Sequence, residues 1–161
     1  DKDELWFSYG DDVWCENRDG SRIKFNISRN KRIKEMVLVT SKNHRNEVLK
    51  DLIHKINFKE VLTMGSIGCK IASIIRGESD IYISLSLPRQ SAPKDWDFAA
   101  PEAILRAAGG AITNLDNEDL SYGKLNYEQG GIIIASSDVE KHKEVCSEIK
   151  KVIKQFDLFS V

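Results

Sequence analysis

The stretch Pro93–Gly110, "PKDWDFAAPEAILRAAGG", decides how this chain is read. Two carboxylates, Asp95 and Asp97, flank Trp96, and an apolar run closed by two glycines follows. The spacing of Phe98, Ile104 and Leu105 predicts a helix packed on a core. Pro101 has no amide hydrogen and fits best in a first helical turn, so the regular helix is expected to start near Asp97 or Phe98. Asp97 then stands at a helix N-terminus, where it is either a capping carboxylate or a ligand for something bound there.

Strand and helix alternate on both sides of this segment. "EMVLVT" (35–40) is a continuous apolar run, as in a strand buried on both faces. Val48, Leu49, Leu52, Ile53 and Ile56 follow at helical spacing. "FKEVLTM" reads as a strand, "GSIGCKIASIIRG" as a helix capped by Gly77, and "SDIYISLSL" as a strand. Beyond Gly110, "GAITNL", "DLSYGK" and "GGIIIASS" read as strands. "DVEKHKEVCSEIKKVIKQF" reads as a closing amphipathic helix with Asp138 as its cap. The predicted class is α/β, a mostly parallel or mixed sheet with helices on both sides over residues 28–161. Residues 1–27 differ. "ELWFSYG", "DVWCEN" and "SRIKFNI" are separated by turn residues and predict an antiparallel meander packed apart from that domain.

Composition narrows the function. With 161 residues, 41% hydrophobic and 30% charged, the chain can bury a core and stay in solution. Its net charge of −1 gives no bulk attraction to nucleic acid or a membrane surface. No apolar run reaches the length of a membrane helix, and no signal peptide is visible. Cys15, Cys69 and Cys146 are an odd set without close spacing, which favours buried reduced thiols in a cytoplasmic setting over a disulfide framework or zinc site. His44, His54 and His142 sit in polar helical contexts and read as surface residues. The run Arg29–Lys34 reads as a solvated connection, with a phosphate patch as the alternative. Asp116, Glu118 and Asp119 lack the spacing of a calcium loop and read as a turn.

"TMGSIGCK" (63–70) has the ingredients of an anion site. A strand ends, Gly65 and Gly68 flank Ser66, a helix begins, and Lys70 lies about one turn on. It is neither a Walker A loop nor a dinucleotide fingerprint, so pattern alone favours an ordinary βα turn capped by Ser66, with the anion site as the alternative.

Taken together, these motifs resemble the inositol monophosphatase family, the magnesium-dependent, lithium-sensitive phosphatases. Trp96, Asp97, Ala99, Ala100, Ile104, Leu105, Ala108, Gly109 and Gly110 match its Trp-Asp signature. Gly65, Ser66, Lys70, Gly77, Asp80 and Tyr82 fall in the family's order. "KDWDFAAPEAIL" with "GSIGCK" is most similar to the 3'(2'),5'-bisphosphate nucleotidases. The resemblance is strong over about residues 62–136 and diffuse over the first 60.

The resemblance implies the C-terminal half of a layered, sugar-phosphatase-like fold. It implies Mg2+ as cofactor, Asp97 as a metal ligand, Trp96 packed beneath the loop to fix that carboxylate, and a small phosphorylated substrate held with the help of Gly65, Ser66 and Lys70. The favoured substrate is 3'-phosphoadenosine 5'-phosphate, with an inositol or sugar phosphate as the alternative. A non-catalytic nucleotide-binding module and a structural half pairing with a separate chain also stay open. The departures matter too. The family's Asp-Pro-Ile-Asp-Gly-Thr motif is absent, and the chain opens Asp1-Lys2-Asp3 directly into strand-like sequence. The expectation is a C-terminal part whose N-terminal half is the missing partner. That part alone is expected to be inactive and to self-associate through an apolar meander face of Leu5, Phe7, Val13 and Trp14. Ser84 stands where related nucleotidases often carry a base, and Arg89, in a long loop, is the candidate replacement at the substrate.

Overall fold

The computed structural model describes residues 2–27, 30–42 and 47–158. Eight strands and four helices alternate much as the sequence predicts. They are β1 Leu5–Tyr9, β2 Asp12–Glu16, β3 Arg22–Phe25, β4 Val37–Ser41, α1 Glu47–Ile56, β5 Glu60–Met64, α2 Ile67–Arg76, β6 Ile81–Ser86, α3 Asp95–Ala107, β7 Ala111–Asn114, β8 Gly131–Ser136 and α4 Val139–Gln155. β1–β3 form an antiparallel meander, and the other five form a mixed sheet in the order β5-β4-β6-β8-β7. β4 runs parallel to β5 and β6, while β8 is antiparallel to β6 and β7.

The apolar strand runs are explained by two-sided burial. Leu38, Ile81, Ile83 and Ile134 face a core shared with α1 and α4, through Leu49, Leu52, Val145 and Ile149. Their sequence neighbours Val39, Tyr82, Ile133 and Ala135 face the opposite core with α2 and α3, through Ile71, Ile74, Phe98 and Leu105. A strand with a hydrophobic environment on each face has no polar side to show in its sequence. The predicted caps hold. Asp138 accepts from the amides of Glu140 and Lys141, and Gly77 closes α2 with φ +86°.

The meander forms a separate sheet, but it does not pack apart. Val13 and Ile27 are buried in the α2–α3 core, with Trp6 and Phe25 against it. Arg76 of α2 ties the meander down, with Nη1 2.7 Å from Glu4 Oε2 and its guanidinium 5.7 Å from the Trp6 ring centre. The expected apolar face of Leu5, Phe7, Val13 and Trp14 is therefore not one face. Phe7 pairs with Trp14 across the ladder, while Val13 lies one residue out of phase and turns inward. Arg22 and Lys24 cover Phe7 and Trp14 from the outside by cation–π contact.

"DLSYGK" is not a strand. Its backbone is satisfied by side chains instead. Asp95 accepts from Gly123 N at 2.6 Å, Gln129 Nε2 donates to Ser121 O at 2.9 Å, and the Tyr122 hydroxyl donates to buried Glu102. Burial and that carboxylate together raise the Tyr122 pKa. Asp116 and Asp119 lie in the turn the sequence predicts, paired with Lys150 and Arg106. In the basic run, Lys31 pairs with Asp80 and Arg32 with Glu35, while Arg29 falls outside the described residues. Cys15 and Cys146 are buried as predicted, and Cys69 is exposed.

His142 corrects the expectation of a surface histidine; His54 is exposed, and His44 lies outside the described residues. His142 is 2% exposed. Its Nδ1 shares a hydrogen bond with Ser136 Oγ at 2.6 Å and its Nε2 one with Thr113 Oγ1 at 2.8 Å, joining α4 to β7 and β8. Burial, and secondarily the charge of Arg106, lowers its pKa to about 4. The unfolded chain's histidine takes its proton near pH 6.5, so below that value the unfolded state binds more protons and the fold loses stability. A loss of about 2 kcal/mol between pH 7 and 4.5 is expected from this group. Urea unfolding at both pH values checks it, and His142→Gln is expected to flatten the difference.

Candidate active site

A cleft of about 780 Å³ opens over β6, between the start of α2, the start of α3 and the loop 87–94. Four of the five residues singled out in the sequence meet there, namely Gly65, Ser66, Lys70 and Asp97.

Gly65 and Ser66 form the βα turn. Ser66 is the N-cap residue of α2 by backbone geometry, yet its side chain makes no capping hydrogen bond. Ser66 lines the cleft, and the capping alternative does not describe its side chain. Lys70 is almost wholly buried in the wall, with Nζ donating to Gly65 O at 2.8 Å and standing 5.3 Å from the Tyr82 ring centre. Burial lowers its pKa to about 8. A cation held against the strand-to-helix turn beside helix amides is an environment suited to an anion.

The two carboxylates of "KDWD" divide their work. Asp95 is buried and structural, gripping Gly123 N and Gln129 Nε2. Asp97 is exposed and lines the cleft. α3 begins at Asp95, two residues earlier than the sequence indicates. Asp97 Oδ2 accepts from Lys94 N at 2.8 Å, so the capping reading is correct as far as that oxygen goes. Pro101 lies inside α3 rather than in its first turn. Trp96 is not packed beneath the loop. It is 67% exposed, with its ring centre 6.0 Å from that of Tyr127.

Arg89 does not join the site. It is exposed, with φ +68°, and its neighbour Gln90 lines the cleft instead. The sequence reading also missed Ser41, Ser84 and Lys94 as lining residues and Tyr82 as the floor. Tyr82 is buried, which raises its pKa; hydrogen bonds to Ser84 and Ser41 offset part of that, and the charge of Asp97 adds to it. The period-two pattern of "IYISLS" was the available signal. It sets Tyr82, Ser84 and Ser86 on one face, with three hydroxyls in an otherwise apolar strand.

Proteins of known family resemble this chain in sequence and fold. The sequence model of the inositol monophosphatase family matches residues 5–154. The chain is 34% identical over 120 residues to the 3'(2'),5'-bisphosphate nucleotidase CysQ of Buchnera aphidicola subsp. Acyrthosiphon pisum, covering 74% of this chain and 42% of that protein. It is 32% identical over 106 residues to mouse 3'(2'),5'-bisphosphate nucleotidase 1, covering 65% and 33%. It is 30% identical over 129 residues to inositol monophosphatase 3 of Xenopus laevis, covering 75% and 34%. Among solved structures, the Thermotoga maritima IMPase TM1415 superposes with a TM-score of 0.62 at 17% identity, covering 89% of this chain and 53% of that one. Staphylococcal IMPase-II gives 0.63 at 16%, covering 93% and 58%. The chain thus spans less than half the length of these curated relatives. A family match over nearly its whole length, with the fold and the Trp-Asp turn in place, establishes that this chain belongs to the inositol monophosphatase family.

Proposed function

We propose that the cleft is the phosphate-binding side of a metal-dependent phosphomonoesterase, with 3'-phosphoadenosine 5'-phosphate as the favoured substrate. The observation that carries this reading is the meeting of Asp97, Lys70 and the Gly65–Ser66 turn in one cleft. The substrate preference draws on the named nucleotidases among the relatives.

Magnesium prefers hard oxygen ligands, and the exposed Asp97 carboxylate is one. Among the described residues no group of three or more His, Cys, Asp or Glu side chains is placed to hold a metal. The described residues therefore fit one protein ligand of a magnesium shell, and further carboxylates would have to come from polypeptide outside them. When bound, the metal neutralises phosphate charge and activates water. The chain's own residues bind and orient. The Ser66 hydroxyl and the amides at the start of α2 would hold phosphate oxygens, buried Lys70 adds positive charge from the wall behind them, and Asp97 would hold the cation beside them. Alone, the 161 residues are expected to be inert.

Lys70 gives this reading a pH signature. Its charge is lost as pH rises through about 8, so affinity for a phosphate dianion falls above that value. In the complete enzyme kcat/KM is expected to drop above pH 8 while kcat, which reports the bound form, stays flatter. Lys70→Met is expected to abolish that limb of the kcat/KM profile.

The test of substrate class is kcat/KM for 3'-phosphoadenosine 5'-phosphate against inositol 1-phosphate in the complete enzyme with Mg2+. A preference for the nucleotide supports the proposal. A preference for the inositol ester overturns the nucleotide assignment, and absence of phosphate release from both overturns the phosphatase reading.

A further inference from the structure

We infer that Lys94 selects substrates carrying a second phosphate, by releasing Glu128 and pairing with that group. The inference rests on the phosphatase reading of the cleft and adds a specificity-determining residue to it. Among the described residues lining the cleft, the cations are Lys70 and Lys94. Lys70 is committed to the wall by its bond to Gly65 O and has almost no exposed surface. Lys94 is different. Its side chain is 31% exposed, and Nζ lies 2.9 Å from Glu128 Oε1 and 3.2 Å from Asn126 O. Glu128 is itself 36% exposed. An ion pair this open to solvent contributes little net stability, so exchanging its carboxylate for a phosphate dianion costs little.

The backbone fixes where such a phosphate would sit. Lys94 is the residue whose amide holds Asp97 Oδ2, so its ammonium and the proposed metal ligand hang from one turn. Gln129 N donates to Pro93 O and Asp95 N to Tyr127 O, both at 2.8 Å. These bonds keep the 124–130 segment alongside residue 94 whether or not the ion pair is made. Glu128 thus holds the place of a second anion at the Lys94 ammonium.

The experiment measures kcat/KM in the complete enzyme for two substrates differing by one phosphate, 3'-phosphoadenosine 5'-phosphate and adenosine 3'-monophosphate. The readout is their ratio. Lys94→Met is expected to lower it about tenfold, the scale of one charge-assisted contact. Lys94→Arg is expected to hold it within about threefold, since the charge is kept. Glu128→Gln breaks the same ion pair but spares the cation, so the ratio is expected not to fall. An unchanged ratio in Lys94→Met overturns the inference. So does an equal fall in Glu128→Gln, which would show that the pair merely positions the loop. If the wild-type enzyme hydrolyses only inositol esters, the nucleotide assignment fails and the ratio is read on inositol 1,4-bisphosphate against inositol 1-phosphate. Hydrolysis of neither pair overturns both proposals.

Discussion

Asn at position 97 is expected to lower kcat of the complete enzyme at least about a hundredfold, the scale of losing one key electrostatic contact to developing charge. The substitution removes a negative charge and almost nothing else. Asp97 is exposed, and its structural role is to accept a hydrogen bond from Lys94 N. An asparagine carbonyl oxygen accepts the same bond, so the start of α3 is preserved. Thermal unfolding is expected to move by less than about 1 kcal/mol, as for other surface substitutions that keep a cap. Steady-state phosphate release and an unfolding curve on the same preparation separate the two effects. Loss of turnover with an intact fold marks a chemical role. Near-normal turnover with Mg2+ leaves Asp97 as a helix cap.

Gly109→Ala is expected to act in the opposite way, on the fold and not on the cleft. Gly109 has φ +97°, and an added Cβ would lie 2.7 Å from the backbone oxygen of Ile27. Neither problem can be relieved by a side chain moving aside. The same junction carries the bonds Ile27 N to Ala108 O at 2.8 Å and Val139 N to Gly109 O at 3.1 Å. Three parts of the chain meet there: the end of the meander, the end of α3 and the start of α4. Overpacking plus a left-handed non-glycine residue is expected to cost about 3 kcal/mol or more, or roughly 10 °C in Tm for a protein this size. Gly130→Ala is the control, since its Cβ meets nothing within 4 Å. Urea or thermal unfolding checks both. A loss under about 1 kcal/mol at Gly109 would mean that the junction can yield.

The parts of the fold legible in sequence are those with local causes. The alternation after residue 36, the cap at Asp138 and the left-handed close at Gly77 all follow from periodicity and cap chemistry. The illegible parts depend on contacts made over long sequence separations. "DLSYGK" has strand-like residues, but Asp95, 28 residues before Gly123, claims its backbone. The same distance effect buries His142, whose partner Thr113 lies 29 residues away on β7. Trp96 shows the reverse. An apolar side chain in a signature motif is expected to be inside, yet the Asp95 anchor holds the turn so that Trp96 points out beside Tyr127.

The candidate site divides along similar lines. Gly65, Ser66, Lys70 and Asp97 were named on motif resemblance, and one cleft brings them together. Arg89 was named because a basic residue was wanted near Ser84. The loop instead turns it outward and presents Gln90. Lys94 already stood in the quoted motif. Only the fold shows it as a cation lining the cleft.

Metal binding tests the central claim most directly, because Asp97 is held to be one ligand of a magnesium ion completed by residues beyond this chain. Calorimetric titration with Mg2+ compares the complete enzyme, its Asp97→Asn variant and the 161-residue chain. The expected result is binding by the complete enzyme, affinity weakened at least about tenfold by Asp97→Asn as one charged ligand is lost, and no measurable binding by the chain alone. Unchanged affinity in Asp97→Asn, or tight binding by the isolated chain, would contradict it.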